Sequence, residues 1–486
     1  MALTRLPTEI LDTIIPHTLP EGFESLALTC RKIYALCTPF IERHNHLRSQ
    51  FQRFMYREYS RDPLLLPIRN AFDLITRIAI EPMVARYIRD ADLYRDNYPP
   101  RARVPQLVPD VYRGGPVVTL FADSPYLRQA GLDWKEYYAS IKEDLKPRPH
   151  YSQHAAAFIL TLLPNAKTLK LPRLWKPLDK TEKLLDIIIH KTKQSNFLWD
   201  SPSLAQVTRF ESYKSSGAGH RFDLDKAVPF LALPHVRLFR GPSCVAIGSD
   251  SIALASKDPY LCYGETLEIV HLAGSCIDEV AIADFLKHTS RLRTLKYSHS
   301  KKGDSEDWDI CKFVTAIERE AGSYLEELSI SLCEPRSSVT PGKASMRGFQ
   351  RLRKLQLPLE IAMCNVANAT SRVTTPNEGL TGQGLDKFEQ FIGDFVPASV
   401  SQLSLLSSGT DHHEMALKVM FRDFAARKDS QLPALKEIYL SCLMSPSADD
   451  AYKEECAKLV AETDEAGVVL HLMDWRDMPT IAWSEA

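Results

Sequence analysis

Residues 292–297 are LRTLKY, residues 325–330 are LEELSI and residues 352–357 are LRKLQL. The three segments share the pattern Leu-x-x-Leu-x-Leu, with Tyr297 and Ile330 in the last position of the first two. Because successive side chains of a strand point to opposite faces, the last two apolar positions share one face and the residue between them lies on the other. The pattern therefore predicts short strands that each bury one face.

The pattern recurs along most of the chain, at an irregular interval of about 30 residues. Its other copies have their middle apolar residue at Ala91, Leu169, Phe210, Leu238, Val270, Leu403, Ile438 and Leu470. Segments with helical periodicity alternate with these copies, at approximately 152–163, 179–193, 278–288, 308–321, 384–396, 411–427 and 447–465. Strands that recur in this way, each with a helix, stack into a parallel sheet with helices outside. We therefore expect an α/β solenoid, with a conventional pair of α/β domains as the alternative.

One residue of each copy is predicted to lie on the sheet face away from the helices. The set is polar, mixed in charge and contains one aromatic ring, which suits a protein-binding surface: Asp92, Lys170, His271, Lys296, Ser329, Gln356, Ser404, Tyr439 and His471. The candidate target-binding residues among them are Lys170, His271, Lys296, Gln356, Tyr439 and His471. Simple solvation is the alternative for any one of them.

The first fifty residues follow a different pattern. Apolar residues at helical spacing predict three short amphipathic helices, in LPTEILDTII, EGFESLALTC and RKIYALCTPFIERH. Pro7 suits the start of the first helix, and Pro16 and Pro20 are expected to end it. Three helices of this size make a small core. We therefore expect them to complete their packing with a partner or, alternatively, to cap the repeats that follow.

The run LPTEILDTIIPHTLPEGFESLALTCRKIYALCTPFIERHNHLRSQF, residues 6–51, resembles an F-box. The LPxEI opening and the TCRKIY segment carry the resemblance, which is strongest to F-box proteins of filamentous fungi that join this module to degenerate leucine-rich repeats. The sequence departs from many F-boxes in having Tyr34 where they have tryptophan. The resemblance implies a short three-helix F-box followed by an irregular leucine-rich-repeat solenoid.

An F-box docks onto the Skp-type adaptor of a cullin-RING ubiquitin ligase, and the repeats hold a protein for ubiquitination. By resemblance, the adaptor-binding residues are Leu6, Pro7, Ile10, Ile14, Leu26, Leu28, Cys30, Ile33 and Tyr34. The implied partners are the adaptor, a cullin through it, and an unidentified protein target. The alternative is a leucine-rich-repeat scaffold outside the ubiquitin pathway.

Composition narrows the function classes. The 486 residues include 60 Lys and Arg against 61 Asp and Glu, which lacks the basic excess of a nucleic-acid binder. No apolar run has the length of a membrane span, and Glu9 and Asp12 interrupt the N-terminal apolar run of a secretory signal. The ten cysteines are scattered, as is typical of reduced, buried thiols. We therefore expect a cytoplasmic or nuclear protein that binds neither nucleic acid nor membrane.

The sequence contains no catalytic motif that we recognise. Phosphate-binding loops, nucleophile elbows and zinc-binding HExxH segments are absent, so we expect no catalytic residue, metal or cofactor. An enzyme whose site lies within residues 95–150 is a further alternative. The acidic residues there, Asp133, Glu136, Glu143 and Asp144, are instead predicted to form an exposed helical face.

These patterns predict four segments. Residues 1–50 form the F-box-like module, and residues 51–150 form a linking region with a first degenerate repeat and a Pro-rich insertion. Residues 151–475 form the solenoid and residues 476–486 a C-terminal tail. The predicted function is substrate recognition in an SCF-type ubiquitin ligase, by a chain that catalyses nothing itself.

Overall fold

A computed structural model describes the following residues of the chain: 6–57, 67–97, 114–144, 153–173, 175–194, 202–212, 221–248, 263–302, 308–333, 344–359, 361, 391–407, 413–441 and 450–473. The chain forms two compact units. The first comprises Met1–Lys214 and Leu233–Val236, and the second comprises Ser215–Ala232 and Arg237–Ala486. The boundaries predicted at residues 50 and 150 therefore both lie within the first unit. Each unit is an α/β structure with a parallel sheet.

The first unit begins with three helices, α1 (Thr8–His17), α2 (Phe23–Ala27) and α3 (Arg31–Phe51). They share a buried apolar cluster formed by Ile15, Leu19, Phe23, Ala27, Ile33 and Cys37. The three predicted helices are thus confirmed, with two corrections. Pro16 lies inside α1 and does not end it, because a proline in the last turn removes only one helical hydrogen bond. Helix α3 continues to Phe51, since Leu47 and Phe51 extend its buried face.

The remaining helices of the first unit are α4 (Ala71–Ile80), α5 (Met83–Tyr87), α6 (Pro116–Ala122), α7 (Pro125–Gln129), α8 (Trp134–Asp144), α9 (His154–Ile159) and α10 (Asp179–Gln194). Its strands are β1 (Arg53–Met55), β2 (Asp90–Asp92), β3 (Thr168–Lys170) and β4 (Arg209–Glu211), paired in parallel in that order. The sequence patterns had indicated β2, β3 and β4. Strand β1 was not predicted, because its copy of the pattern has the aromatic residues Phe51, Phe54 and Tyr56 in place of leucine.

The strands of the second unit are β5 (Phe222–Asp223), β6 (Leu238–Arg240), β7 (Cys244–Ala246), β8 (Ile269–Ile277), β9 (Thr294–His299), β10 (Glu327–Leu332), β11 (Lys354–Pro358), β12 (Gln402–Leu406), β13 (Glu437–Ser441) and β14 (Val469–Met473). Strand β6 and strands β8 to β14 pair in parallel in chain order. Strand β7 also pairs with β8, and β5 pairs with β7.

The helices of the second unit are α11 (Val228–Leu231), α12 (Glu279–Lys287), α13 (Ile310–Ala321), α14 (His413–Met420), α15 (Phe424–Gln431) and α16 (Asp450–Glu465). Aspartate side chains begin two of them, since Asp278 accepts a hydrogen bond from the backbone N–H of Ala281 and Asp309 accepts one from Lys312. The structure confirms the predicted helices near 279, 310, 413 and 450. Most of the helix predicted at 384–396 lies outside the described residues.

Apolar side chains from adjacent strands form the core of the second unit. Leu295, Leu328, Leu355, Leu403 and Ile438 occupy the same register position, and each is at most 1% exposed. Helices cover this face, as the ring contact between Tyr297 of β9 and Phe313 of α13 shows. Each fully buried side chain of this size contributes roughly 1.5–3 kcal/mol. The leucine pattern therefore both places the strands and fills the core.

Two predictions about polar and sulfur-containing side chains need correction. Asp144 is not on an exposed face, because its side chain is 6% exposed and its Oδ2 lies 3.0 Å from His154 Nδ1. Cys333 is exposed, whereas the other described cysteines are buried or half-buried, as predicted.

Candidate functional site

The first candidate site is the outer surface of α1, α2 and α3. Five of the predicted adaptor-binding residues are exposed or half-buried on or beside these helices. Ile10 of α1 is 48% exposed, Leu28 at the end of α2 is 79% exposed, and Tyr34 in the first turn of α3 is 51% exposed. Pro7 is also exposed, and Leu6 is half-buried beside it. We call these five residues, together with Ile14, the helical surface.

The other predicted adaptor-binding residues lie deeper in the three-helix module. Ile33 is fully buried in the shared apolar cluster, and Leu26 and Cys30 pack partly against that cluster. Ile14 is half-buried on the same helix face as Ile10, four residues away. Ile33 therefore holds the helices together and offers no contact surface, while Leu26 and Cys30 offer only part of one.

The helices are attached to the rest of the first unit by ion pairs. Arg43 of α3 lies 2.6 Å from Glu81, which follows α4, and Arg86 of α5 lies 2.6 Å from Glu21, which precedes α2. Met83 of α5 also packs against the shared apolar cluster. These contacts attach the three-helix module to the rest of the unit. Ile10, Leu28 and Tyr34 take no part in them and remain exposed.

The second candidate site is a row of side chains across the sheet of the second unit. The parallel register places one residue from each strand in line, in the order Arg240, His271, Lys296, Ser329, Gln356, Ser404, Tyr439 and His471. We call these residues the sheet row. It contains five of the six predicted target-binding residues. The sixth, Lys170, lies in the first unit, in line with Met55, Asp92 and Glu211.

The side chains of the sheet row are less exposed to solvent than the sequence pattern predicts. His271, Gln356 and Ser404 are each 8% exposed and Ser329 is 2% exposed. Neighbouring strands lie only about 4.8 Å apart, so longer side chains beside a serine cover it. Arg240, Lys296, Tyr439 and His471 are half-buried, so they are the more accessible residues of the row.

Charges in both sheets are largely paired between adjacent strands. Lys296 Nζ lies 3.2 Å from Glu327 Oε1 in the second unit. In the first unit, Lys170 Nζ lies between Asp92 Oδ2 at 3.7 Å and Glu211 Oε2 at 3.1 Å. These pairs fix the lysine side chains on the sheet face, where they offer hydrogen-bond donors without a large net charge.

Burial changes the protonation of one residue of the sheet row, His271. Burial, together with the positive charges of Lys296 and Arg240 on either side, lowers the pKa of His271 to about 4. The ring of His271 is therefore neutral at physiological pH. A neutral imidazole between two cations supplies a hydrogen-bonding group without adding a third positive charge.

The sequence pattern missed Arg240 of the sheet row and Glu211 of the first unit. The structure aligns Phe239 with Val270, so the middle apolar residue of this copy is Phe239 and the prediction of Leu238 was wrong by one residue. Because a shift of one residue exchanges the two faces of a strand, the predicted register assigned Arg240 to the wrong face. Glu211 directly follows the predicted Phe210, and the alternation alone was sufficient to locate it.

Two kinds of feature are absent from the part of the chain that the structure describes. Among the described residues, no group of three or more His, Cys, Asp or Glu side chains is arranged to hold a metal ion. None of the described helices is long and apolar enough to cross a bilayer.

Comparison with known proteins adds no family to these observations. No known protein family matches the chain, and no curated protein matches it significantly. The helical surface and the sheet row are therefore the features of the chain that bear on its function.

Proposed function

We propose that the chain is the substrate-recognition subunit of a cullin-RING ubiquitin ligase. In this proposal, α1, α2 and α3 are an F-box that binds a Skp-type adaptor, and the parallel strands with their helices are an irregular leucine-rich-repeat solenoid. The observation that carries the proposal is the exposure of Ile10, Leu28 and Tyr34 on helices whose inner faces are already filled. Large apolar side chains of this kind are the usual anchors of helix-mediated protein contacts.

The proposed mechanism is proximity. The helical surface holds the ligase through the adaptor and cullin, and a second surface holds the target protein. A lysine of the target then meets the ubiquitin-conjugating enzyme at a raised effective concentration. In this mechanism the chain needs no catalytic residue and no cofactor.

The sheet row supports the second half of the proposal. Its residues come from eight neighbouring strands, so they form a continuous line of polar groups ending in the stacked rings of Tyr439 and His471. Mixed polar and aromatic groups with few unpaired charges suit a protein ligand better than a polyphosphate. We propose this row as the target-binding surface of the second unit.

The test is co-purification of the chain with a Skp-type adaptor. The triple variant Leu6→Ala, Pro7→Ala and Ile10→Ala covers the start of α1, and the triple variant Ile10→Ala, Leu28→Ala and Tyr34→Ala covers the exposed anchors. Loss of three anchors lowers affinity by about 100-fold or more, at roughly 1–2 kcal/mol for each side chain.

The matched control for both triple variants is Ile80→Ala. Ile80 is 64% exposed at the end of α4 and lies outside the helical surface, so its replacement leaves adaptor binding unchanged. A wild-type chain that fails to retain the adaptor, or triple variants that bind as well as the wild type, would contradict the proposal. If wild-type binding is absent while another protein is held and is not degraded, the chain is a scaffold outside the ubiquitin pathway.

A further inference from the structure

A small polar pocket lies in the first unit, and none of the residues of the helical surface lines it. Glu24 of α2 borders it together with His44 and Arg48 from the second half of α3 and Gln52 just after that helix. Tyr87 and Arg89, at the end of α5 and just after it, also line the pocket, as does Pro20 before α2. Polar groups from three separate chain segments therefore converge on one place.

His44 has an unused polar atom in this pocket. Its side chain is 4% exposed, and its Nδ1 lies 2.8 Å from the hydroxyl oxygen of Tyr87. Its Nε2 has no hydrogen-bond partner within the described part of the chain. The nearest acidic oxygen, Oε1 of Glu24, lies 3.5 Å from Nε2. When the Tyr87 hydroxyl donates to Nδ1, the imidazole proton lies on Nε2. A buried donor without an acceptor costs roughly 1–3 kcal/mol, which an acceptor from a ligand recovers.

Of the charges around the pocket that the structure describes, one cation is left without a counterion. Arg48 pairs with Glu24 through Nη1, and its Nε donates to Gln52 Oε1 at 3.2 Å. Among the residues that the structure describes, no carboxylate lies within ion-pair distance of the Arg89 guanidinium. The lining thus contains two arginines and a single carboxylate, and the excess of one positive charge favours a monoanionic ligand.

We propose that this pocket binds a carboxylate group, which bridges the Arg89 guanidinium and the Nε2 proton of His44. A planar carboxylate matches the fork of a guanidinium and accepts two parallel hydrogen bonds from it. A phosphate dianion fits less well, because its second charge lies near Glu24. The carboxylate comes either from a small organic acid or from an acidic side chain of a bound protein.

This inference is independent of the proposed ubiquitin-ligase function. The pocket residues are not in the helical surface, and the test uses neither adaptor nor target. A chain that does not bind the adaptor can therefore still bind a carboxylate at this pocket. Equally, a chain that binds no carboxylate can still bind the adaptor.

The experiment is saturation-transfer difference NMR on the full chain with two probes. Sodium acetate represents the free acid, and the peptide acetyl-Gly-Glu-Gly-amide presents a glutamate side chain without terminal charges. The peptide with glutamine in place of glutamate is its neutral reference. The variant is Arg89→Gln, and the matched control is Arg128→Gln, which removes the same charge from an exposed position on α7.

We expect saturation transfer to at least one carboxylate probe with the wild-type chain and with Arg128→Gln, and a decrease of at least threefold with Arg89→Gln. Transfer to the glutamate peptide alone identifies a protein side chain as the ligand, and transfer to acetate identifies a small acid. Circular dichroism checks that Arg89→Gln is folded. If Arg89→Gln is not folded, a competition experiment on the wild-type chain replaces it. In that experiment we expect the carboxylate probe to stay bound in a tenfold excess of chloride.

Four outcomes would overturn the proposal. They are absence of transfer with the wild type, equal transfer with Arg89→Gln in its folded state, displacement of the carboxylate probe by a lower concentration of inorganic phosphate, and its displacement by a tenfold excess of chloride. The third outcome would show that the pocket prefers a dianion.

Discussion

The phenol ring of Tyr439 on β13 stacks on the imidazole of His471 on β14, with ring centroids 4.4 Å apart and planes inclined by 15°. The register pairs the two residues directly, and the Tyr439 hydroxyl also donates to Glu437 Oε2 at 2.9 Å. The contact therefore links the last two described strands through side chains as well as through the backbone. It also holds two large rings flat at one end of the sheet row.

The stacked rings are expected to stabilise each other. Aromatic pairs across neighbouring strands contribute about 0.5–1 kcal/mol beyond their burial. A double-mutant cycle with Tyr439→Ala, His471→Ala and the double variant should give a coupling free energy of this size in urea denaturation. Tyr439→Ala paired with His235→Ala, a residue of the first unit, supplies the control cycle, for which we expect no coupling. Zero coupling between Tyr439 and His471 would show that the rings do not interact in solution.

Adjacent residues on β10 should differ sharply in their contribution to stability. Leu328 is fully buried beneath the helices, and Ser329 lies in the sheet row on the opposite face. Leu328→Ala should lower the free energy of unfolding by about 2–5 kcal/mol, because it leaves a cavity. Ser329→Ala should change it by less than about 0.5 kcal/mol. Chemical denaturation measures both, and a costly Ser329→Ala with a neutral Leu328→Ala would reverse the assigned faces.

The strand positions were the most predictable part of the fold. Leu-x-x-Leu-x-Leu encodes both the strand and its buried face, which is why Lys296, Gln356 and Tyr439 were correctly assigned to one face. The pattern failed where several adjacent residues are apolar. Leu238 and Phe239 are both buried, so the sequence alone does not show which of them aligns with Val270.

Pairings between distant residues could not be predicted from local patterns. The pocket combines His44 with Tyr87, 43 residues later in the chain, and nothing in either segment indicates the other. The same reason applies to Asp144, whose partner His154 lies beyond residues that carry no strand or helix pattern. Ile33 is buried while Ile10 and Tyr34 are exposed, a difference that depends on packing that only the structure shows.

The stability of the second unit should depend on pH through His271. Its pKa is lowered to about 4, below the ordinary value of 6.5, so the unfolded chain binds more protons than the folded chain between those pH values. Stability that is complete above pH 6.5 is therefore lost as the pH falls towards 4. His271→Gln should flatten the slope of unfolding free energy against pH in this window, by about one proton.

The control for this pH effect is Ser329→Ala. It removes a side chain of the same sheet row that does not titrate, so the slope should stay unchanged. Urea denaturation at pH 4.5, 5.5, 6.5 and 7.5 provides the measurement. If the slope of His271→Gln equals that of the wild type, the imidazole of His271 is not kept neutral by burial and by its two cationic neighbours.

Two acidic residues of α8 should also differ in stability. Asp144 Oδ2 lies 3.0 Å from His154 Nδ1 and accepts a hydrogen bond from the backbone N–H of His154 at 3.2 Å. Asp144→Ala leaves the buried His154 without these bonds and should cost about 2–4 kcal/mol. Glu136→Ala, at an exposed position on the same helix, should cost less than about 0.5 kcal/mol. Equal and small effects in thermal or urea denaturation would show that Asp144 is solvent-exposed like Glu136, as the sequence pattern predicts.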